Sequence, residues 1–133
     1  MVNGSYYDSD MCNASNSSVK LIDMSRFSIN NHKGFNLKFN NGWRVSVQFG
    51  PGNYCERRES KYNEPESELH WESSDAEIAV WHERDGKMVY LESDIVRGWC
   101  TTDEVAQVIH KVSTAKSTLI TEEMTKRLSK LWK

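Results

Sequence analysis

The sequence predicts an α+β domain, an antiparallel β-sheet of two hairpins with four or five strands packed by C-terminal α-helices. Three observations carry this. Apolar and polar residues alternate from Phe35 to Phe49 on both sides of an Asn-Asn-Gly turn. Two shorter strand-like runs flank Glu83-Arg84-Asp85-Gly86. From Val105 to Val112 the apolar spacing changes to i, i+3, i+4, i+7 behind a Thr-x-x-Glu signal.

At 133 residues the chain is long enough for one domain with a real core and too short for two comfortable ones. It is 38% hydrophobic and 27% charged with a formal net charge of −2, which suggests neither disorder throughout nor a nucleic-acid-coating character. No apolar run approaches the roughly 18 residues a membrane span needs, and the N-terminus lacks a basic region followed by an apolar one. A cytoplasmic protein without membrane contact is the expectation. Cys12, Cys55 and Cys100 are odd in number and widely spaced, which argues for reduced thiols and against a disulfide framework or a CxxC metal knuckle.

Residues 1–18 are rich in Asn, Ser, Asp, Gly and Tyr and read as a poorly ordered or partner-ordered arm. Its sequons at Asn3, Asn13 and Asn16 carry no meaning without secretion. The single α+β domain spans 19–118, and an amphipathic C-terminal helix occupies 119–133. Between Val19 and Ile29 a brief alternation predicts one short strand. In the central hairpin, side-chain parity chooses the turn. A two-residue loop would put the two apolar sets on opposite faces, whereas a three-residue loop pairs Phe39 with Trp43, Leu37 with Val45 and Phe35 with Val47, with Gly42 left-handed at a bulge.

Residues 56–75 hold seven acidic and three basic side chains and show no secondary-structure signal, the mark of a functional or disordered loop. Ala76 to His82 and Lys87 to Glu92 read as a second hairpin, whose loop length decides whether Tyr90 or Leu91 joins Val80. Thr101 and Glu104 form a capping box ahead of the Val105, Val108, Ile109, Val112 stripe, which is expected to lie on the sheet. Thr121 is placed to cap a last helix with Met124, Leu128, Leu131 and Trp132 on one face. Such a short helix must dock on this core or on another copy, so a homo-oligomer joined through it is expected.

Candidate binding residues gather after the first hairpin. Gly50 and Gly52 let backbone approach a ligand, and with Asn53 expose amides that suit an anion or a carbonyl; the plainer reading is a sharp exit from the sheet. Tyr54 adds a stacking ring, and Arg57 and Arg58 add guanidinium groups for phosphate or carboxylate, unless they are only solvated or paired with Glu56 and Glu59. Trp71, beside His70 in the acidic loop, reads as a loop anchor or a ligand contact. Arg97 and Trp99 flank Gly98, whose expected left-handed turn would set them side by side to hold a nucleotide or to fasten the helix to the sheet.

Cys100 before a helix N-terminus and Cys55 near two arginines are the candidate nucleophiles, but His32, His70, His82 and His110 lie in no signature that joins them to a cysteine. No catalytic residue, metal ligand or cofactor is assigned, and the acidic loop lacks EF-hand spacing.

The run Gly42-Trp43-Arg44-Val45-Ser46-Val47-Gln48-Phe49-Gly50-Pro51-Gly52-Asn53-Tyr54-Cys55, then Ala76-Glu77-Ile78-Ala79-Val80-Trp81 and Val96-Arg97-Gly98-Trp99, resembles small, mostly uncharacterised bacteriophage accessory proteins over about residues 35–112. The resemblance implies a phage origin and an accessory role that includes counter-defence. Such proteins act by binding, as inhibitors that occlude a host defence protein or sequester a nucleotide-like signal. The expectation is therefore a non-enzymatic binding protein in the host cytoplasm. The alternatives are a small cysteine-dependent enzyme and a nucleic-acid binder using the basic C-terminal helix, the last disfavoured by the acidic loop and net charge.

Overall fold

A computed structural model describes residues 25–30, 34–61 and 71–132. The expected arm, the start of the predicted first strand, and residues 62–70 of the acidic loop with His70 lie outside the described residues. Five strands, β1 (Arg26–Asn30), β2 (Gly34–Lys38), β3 (Trp43–Gln48), β4 (Ala76–His82) and β5 (Arg97–Cys100), form one antiparallel sheet in sequence order. Two helices follow, α1 (Thr102–Ser113) and α2 (Thr121–Ser129), and a 3₁₀ turn (Lys130–Trp132) ends them. The α+β architecture is the one the sequence predicts.

The first hairpin has the predicted register. Phe35 faces Val47 and Leu37 faces Val45. The Phe39 N–H donates to the Trp43 carbonyl at 2.9 Å, and Gly42 takes φ +89°. A side chain at Gly42 would meet the His82 ring at 2.5 Å, so sterics and backbone both demand glycine. Alternation then builds the core: Trp43, Val45, Ile78 and Val80 point inward and are fully buried. Each such aliphatic side chain contributes roughly 1.5–3 kcal/mol.

The second hairpin departs from expectation. Lys87 to Glu92 forms no strand but only a bridge of Met88 to Trp81, with the Val89 N–H on the Val80 carbonyl. The chain turns at Leu91 and Asp94, and the rest of the β4 edge is taken by β5, in the segment where a left-handed turn at Gly98 was expected. Val89 and Leu91 are buried while Tyr90 is exposed, so Leu91 is the residue that joins Val80.

α1 begins with the expected reciprocal box: the Glu104 N–H donates to Thr101 Oγ1 (3.2 Å) and the Thr101 N–H to Glu104 Oε1 (2.8 Å). Val108 and Val112 are buried, with Val105 and Ile109 packed at the edge of the core. Thr121 does not cap α2. It is the first helical residue, buried with its hydroxyl unpaired, while the Glu123 carboxylate accepts the N–H of Ile120, whose side chain has no acceptor to return. Met124 and Leu128 are fully buried in the same core as the sheet, so the face expected to join copies is consumed within the chain.

Glu83 beyond β4 bridges Arg44 (2.7 Å) and Lys38 (3.5 Å). Burial acts to raise its pKa, but the two cations outweigh it and hold the carboxyl below its usual 4.5. A depressed native pKa adds stability above the unfolded value that is lost as pH falls through the folded one. The urea midpoint is therefore expected to fall as pH drops below about 4.5, and Glu83→Gln to flatten part of that slope. Solvent screening keeps the effect small, and an unaltered slope would refute it.

Candidate functional site

The loop leaving β3 is built from its own hydrogen bonds. The Gly50 N–H donates to Asn53 Oδ1 (2.9 Å), the Asn53 N–H to the Gly50 carbonyl (3.1 Å) and the Gly52 N–H to the Arg58 carbonyl (2.9 Å), with Gly52 at φ +85°. Asn53 Nδ2 donates to Gln48 Oε1 (3.0 Å) and Glu77 Oε1 (3.2 Å), and the Tyr54 N–H to Glu77 Oε2 (3.3 Å). The backbone amides expected to receive an outside anion are thus spent within the loop, and the Glu77 carboxylate on β4 is held by the Asn53 side chain and the Tyr54 N–H. The loop is a sharp, well-fastened exit from the sheet.

What it presents is Tyr54. The Trp99 N–H donates to the Tyr54 carbonyl at 2.8 Å, joining the loop to β5. Gly98 is where the two segments touch: a Cβ there would lie 2.5 Å from Tyr54 Cβ and 2.9 Å from its carbonyl oxygen. The glycine serves close approach, not the expected left-handed turn; the left-handed residue is Trp99 itself, at φ +50°. A side chain held there costs roughly 1–3 kcal/mol. The reward is a stacked pair, with Tyr54 and Trp99 ring centroids 5.6 Å apart and planes 20° from parallel. Trp99 is 54% and Tyr54 39% exposed, and the Arg58 guanidinium lies 4.9 Å from the Tyr54 ring centroid.

The other predicted residues go elsewhere. Arg57 covers the Trp71 ring (4.9 Å) and donates Nε–H to the Glu72 carbonyl (2.5 Å), while Trp71 Nε1–H donates to the Phe49 carbonyl (3.0 Å). This cluster anchors the end of the acidic loop to β3. Glu56 adds to it: its carboxylate accepts the Ser74 N–H (2.7 Å), which holds its pKa below the usual range. Arg97 pairs with Glu92 (2.6 Å) and lies 4.2 Å from the Trp132 ring centroid, fastening β5 to the C-terminal turn. It does not meet Trp99, because a left-handed residue breaks the alternation that puts i and i+2 on one face.

Both candidate nucleophiles are poor ones. Burial pushes the Cys55 thiol up, and pushes Cys100 to about 11 with the Glu104 and Asp75 charges adding to it and Arg97 opposing. The expected lowering by a helix N-terminus and by arginines is overridden by desolvation. Cys100 borders a cavity of about 280 Å³ walled by Phe35, Val47, Phe49, Ala76 and Val105, with no histidine lining it. Among the described residues no three His, Cys, Asp or Glu side chains are grouped to hold a metal. Iodoacetamide is expected to leave both thiols unmodified in the native protein at pH 8 and to label both in urea; native labelling at either would restore the enzyme reading.

Sequence reasoning missed Glu77 as the loop's internal anion and Asn41 as a fastener of α1. The first had a usable signal, since Gln48, the last residue of β3, and Glu77, the second of β4, are both polar and pair with each other. The described residues include no helix long and apolar enough to cross a membrane. Comparisons of the chain with protein-family models, curated proteins and solved structures give no match.

Proposed function

We propose that this chain is a non-enzymatic accessory binding protein of phage origin that works in counter-defence in the host cytoplasm, blocking a host protein as a homo-oligomer. Tyr54, Trp99 and Arg58 form its contact surface. The carrying observation is Trp99: an exposed indole is held in a strained backbone conformation, stacked on a second exposed ring. Backbone strain gathers at functional sites, and Trp, Tyr and Arg dominate the energetic centres of protein interfaces. A protein partner is favoured over a nucleotide-like signal because the backbone amides of Gly50, Gly52 and Asn53 are bonded within the loop and Arg97 is engaged with Glu92 and Trp132.

The test is a photocrosslinking amino acid at position 54 in expressing bacterial cells. One host protein is expected in the covalent adduct, lost when Arg58→Glu is added and absent when the probe sits at exposed position 116. The same adducts from both positions, or none, would overturn the reading. Calorimetry with a nucleotide panel, showing binding that Arg57→Ala abolishes, would replace it with signal sequestration.

A further inference from the structure

β1 is the outermost strand, and Phe27 and Ile29 are 90% and 89% exposed. Both lie on the face that elsewhere is core. Phe27 heads the row Leu37, Val45, Val80, and Ile29 heads the row Phe35, Val47, Ile78. Along these rows burial is complete at Val45, Val80 and Ile78, partial at Leu37 and Phe35, and lost at β1. α1 packs on β3 and β4 and leaves that end of the face open.

The geometry points to a second copy of this chain as the occupant, joined by antiparallel pairing of β1 with its two-fold mate about Ser28. Among the described residues no strand pairs with the outer edge of β1. Natural edge strands are blunted by charged side chains, proline or a bulge; Arg26–Asn30 carries one charge, at its first residue, contains no proline and pairs with β2 without a register shift. The strand is also complementary to itself. Centring on Ser28 sets Phe27 opposite the second copy's Ile29 and Arg26 opposite its Asn30, so apolar meets apolar and no like charges face each other. This register uses all five residues and keeps both helix layers on one side. The apolar rows then run unbroken through both sheets, each aromatic–aliphatic pair closing the side of Phe27 left open in one copy. A two-fold strand pair is isologous, so the assembly closes at two. The inference concerns self-association alone, and it stands or falls separately from contact of Trp99 with a host protein.

The experiment uses the full chain at about 100 μM, since so short an interface predicts micromolar association. Sedimentation equilibrium is expected to give twice the chain mass for the wild type and the single mass for Phe27→Asp. Phe27 is so exposed that the substitution leaves the near-UV circular dichroism intact. In a Cys12→Ser background, Ser28→Cys is expected to form an interchain disulfide on mild oxidation, because directly opposed Cα atoms in an antiparallel pair lie about 4.5–5.5 Å apart. Cys55 and Cys100 are buried and do not compete. A monomeric wild type overturns the proposal. So does a dimer that Phe27→Asp leaves intact, or one whose Ser28→Cys copies fail to cross-link.

Discussion

Asn41→Asp is expected to lower the melting temperature by about 10 °C, the equivalent of about 3 kcal/mol in a domain of this size. Asn41 sits in the turn of the first hairpin, yet its side-chain amide works on α1. Nδ2 donates to the carbonyls of Val112 (2.8 Å) and Ala115 (2.9 Å), with Ser113 at 3.3 Å, while Oδ1 accepts the Trp43 N–H (3.0 Å). The last carbonyls of a helix have no partner within it, and here Asn41 and the Arg127 guanidinium on Lys111 supply them. A carboxylate in place of the amide removes the donors, strips the Ala115 carbonyl of its bond, leaves the Val112 carbonyl with the longer one from the Ala115 N–H (3.3 Å) and sets a negative charge against the negative end of the helix. Asn41→Ala loses the donors without the repulsion and should cost about half as much. Thermal melts at pH 7 order the three proteins. An Asp variant as stable as wild type would show that α1 does not need this cap. On lowering the pH the Asp variant should recover toward the Ala variant, since protonation removes its charge.

Asn41 also marks the boundary of what the sequence discloses. Its turn was legible because a hairpin is local: parity over fifteen residues fixes loop length, register and the left-handed glycine together. Its bond to α1 joins positions 71 apart and leaves no periodic trace. The same limit explains the second hairpin. Residues 88–89 and β5 share one edge of β4, and Arg97-Gly98-Trp99-Cys100 carries no alternation, because Gly98 answers to Tyr54 and Trp99 is left-handed. At the site the residue types were readable and their partners were not. Arg57 and Arg58 are adjacent, yet one covers Trp71 and the other Tyr54, since the chain is turning there with the Arg58 N–H on the Cys55 carbonyl. Arg97 was expected beside Trp99 and is held by Trp132, a residue on the far side of both helices in sequence.

Trp99→Gly separates what the strain does for the fold from what it does for binding. Removing the ring forfeits the stack on Tyr54, worth about 0.5–1.5 kcal/mol, but glycine takes φ +50° without steric cost, which returns about 1 kcal/mol. The variant should therefore melt within a few degrees of wild type. Trp99→Ala loses the same stack and keeps the strain, so it should be the less stable of the two, reversing the usual order of alanine over glycine. If Trp99 is the centre of a protein contact, both variants lose it alike, and truncation at such a centre costs 2 kcal/mol or more, about 30-fold in affinity. The measurement is adduct yield from the probe at position 54, compared with urea midpoints of the same proteins. Near-wild-type stability with capture lost in Trp99→Gly assigns the strained indole to recognition. Full capture, or a collapse in stability as large in Gly as in Ala, would assign it instead to holding β5 against the loop that carries Tyr54.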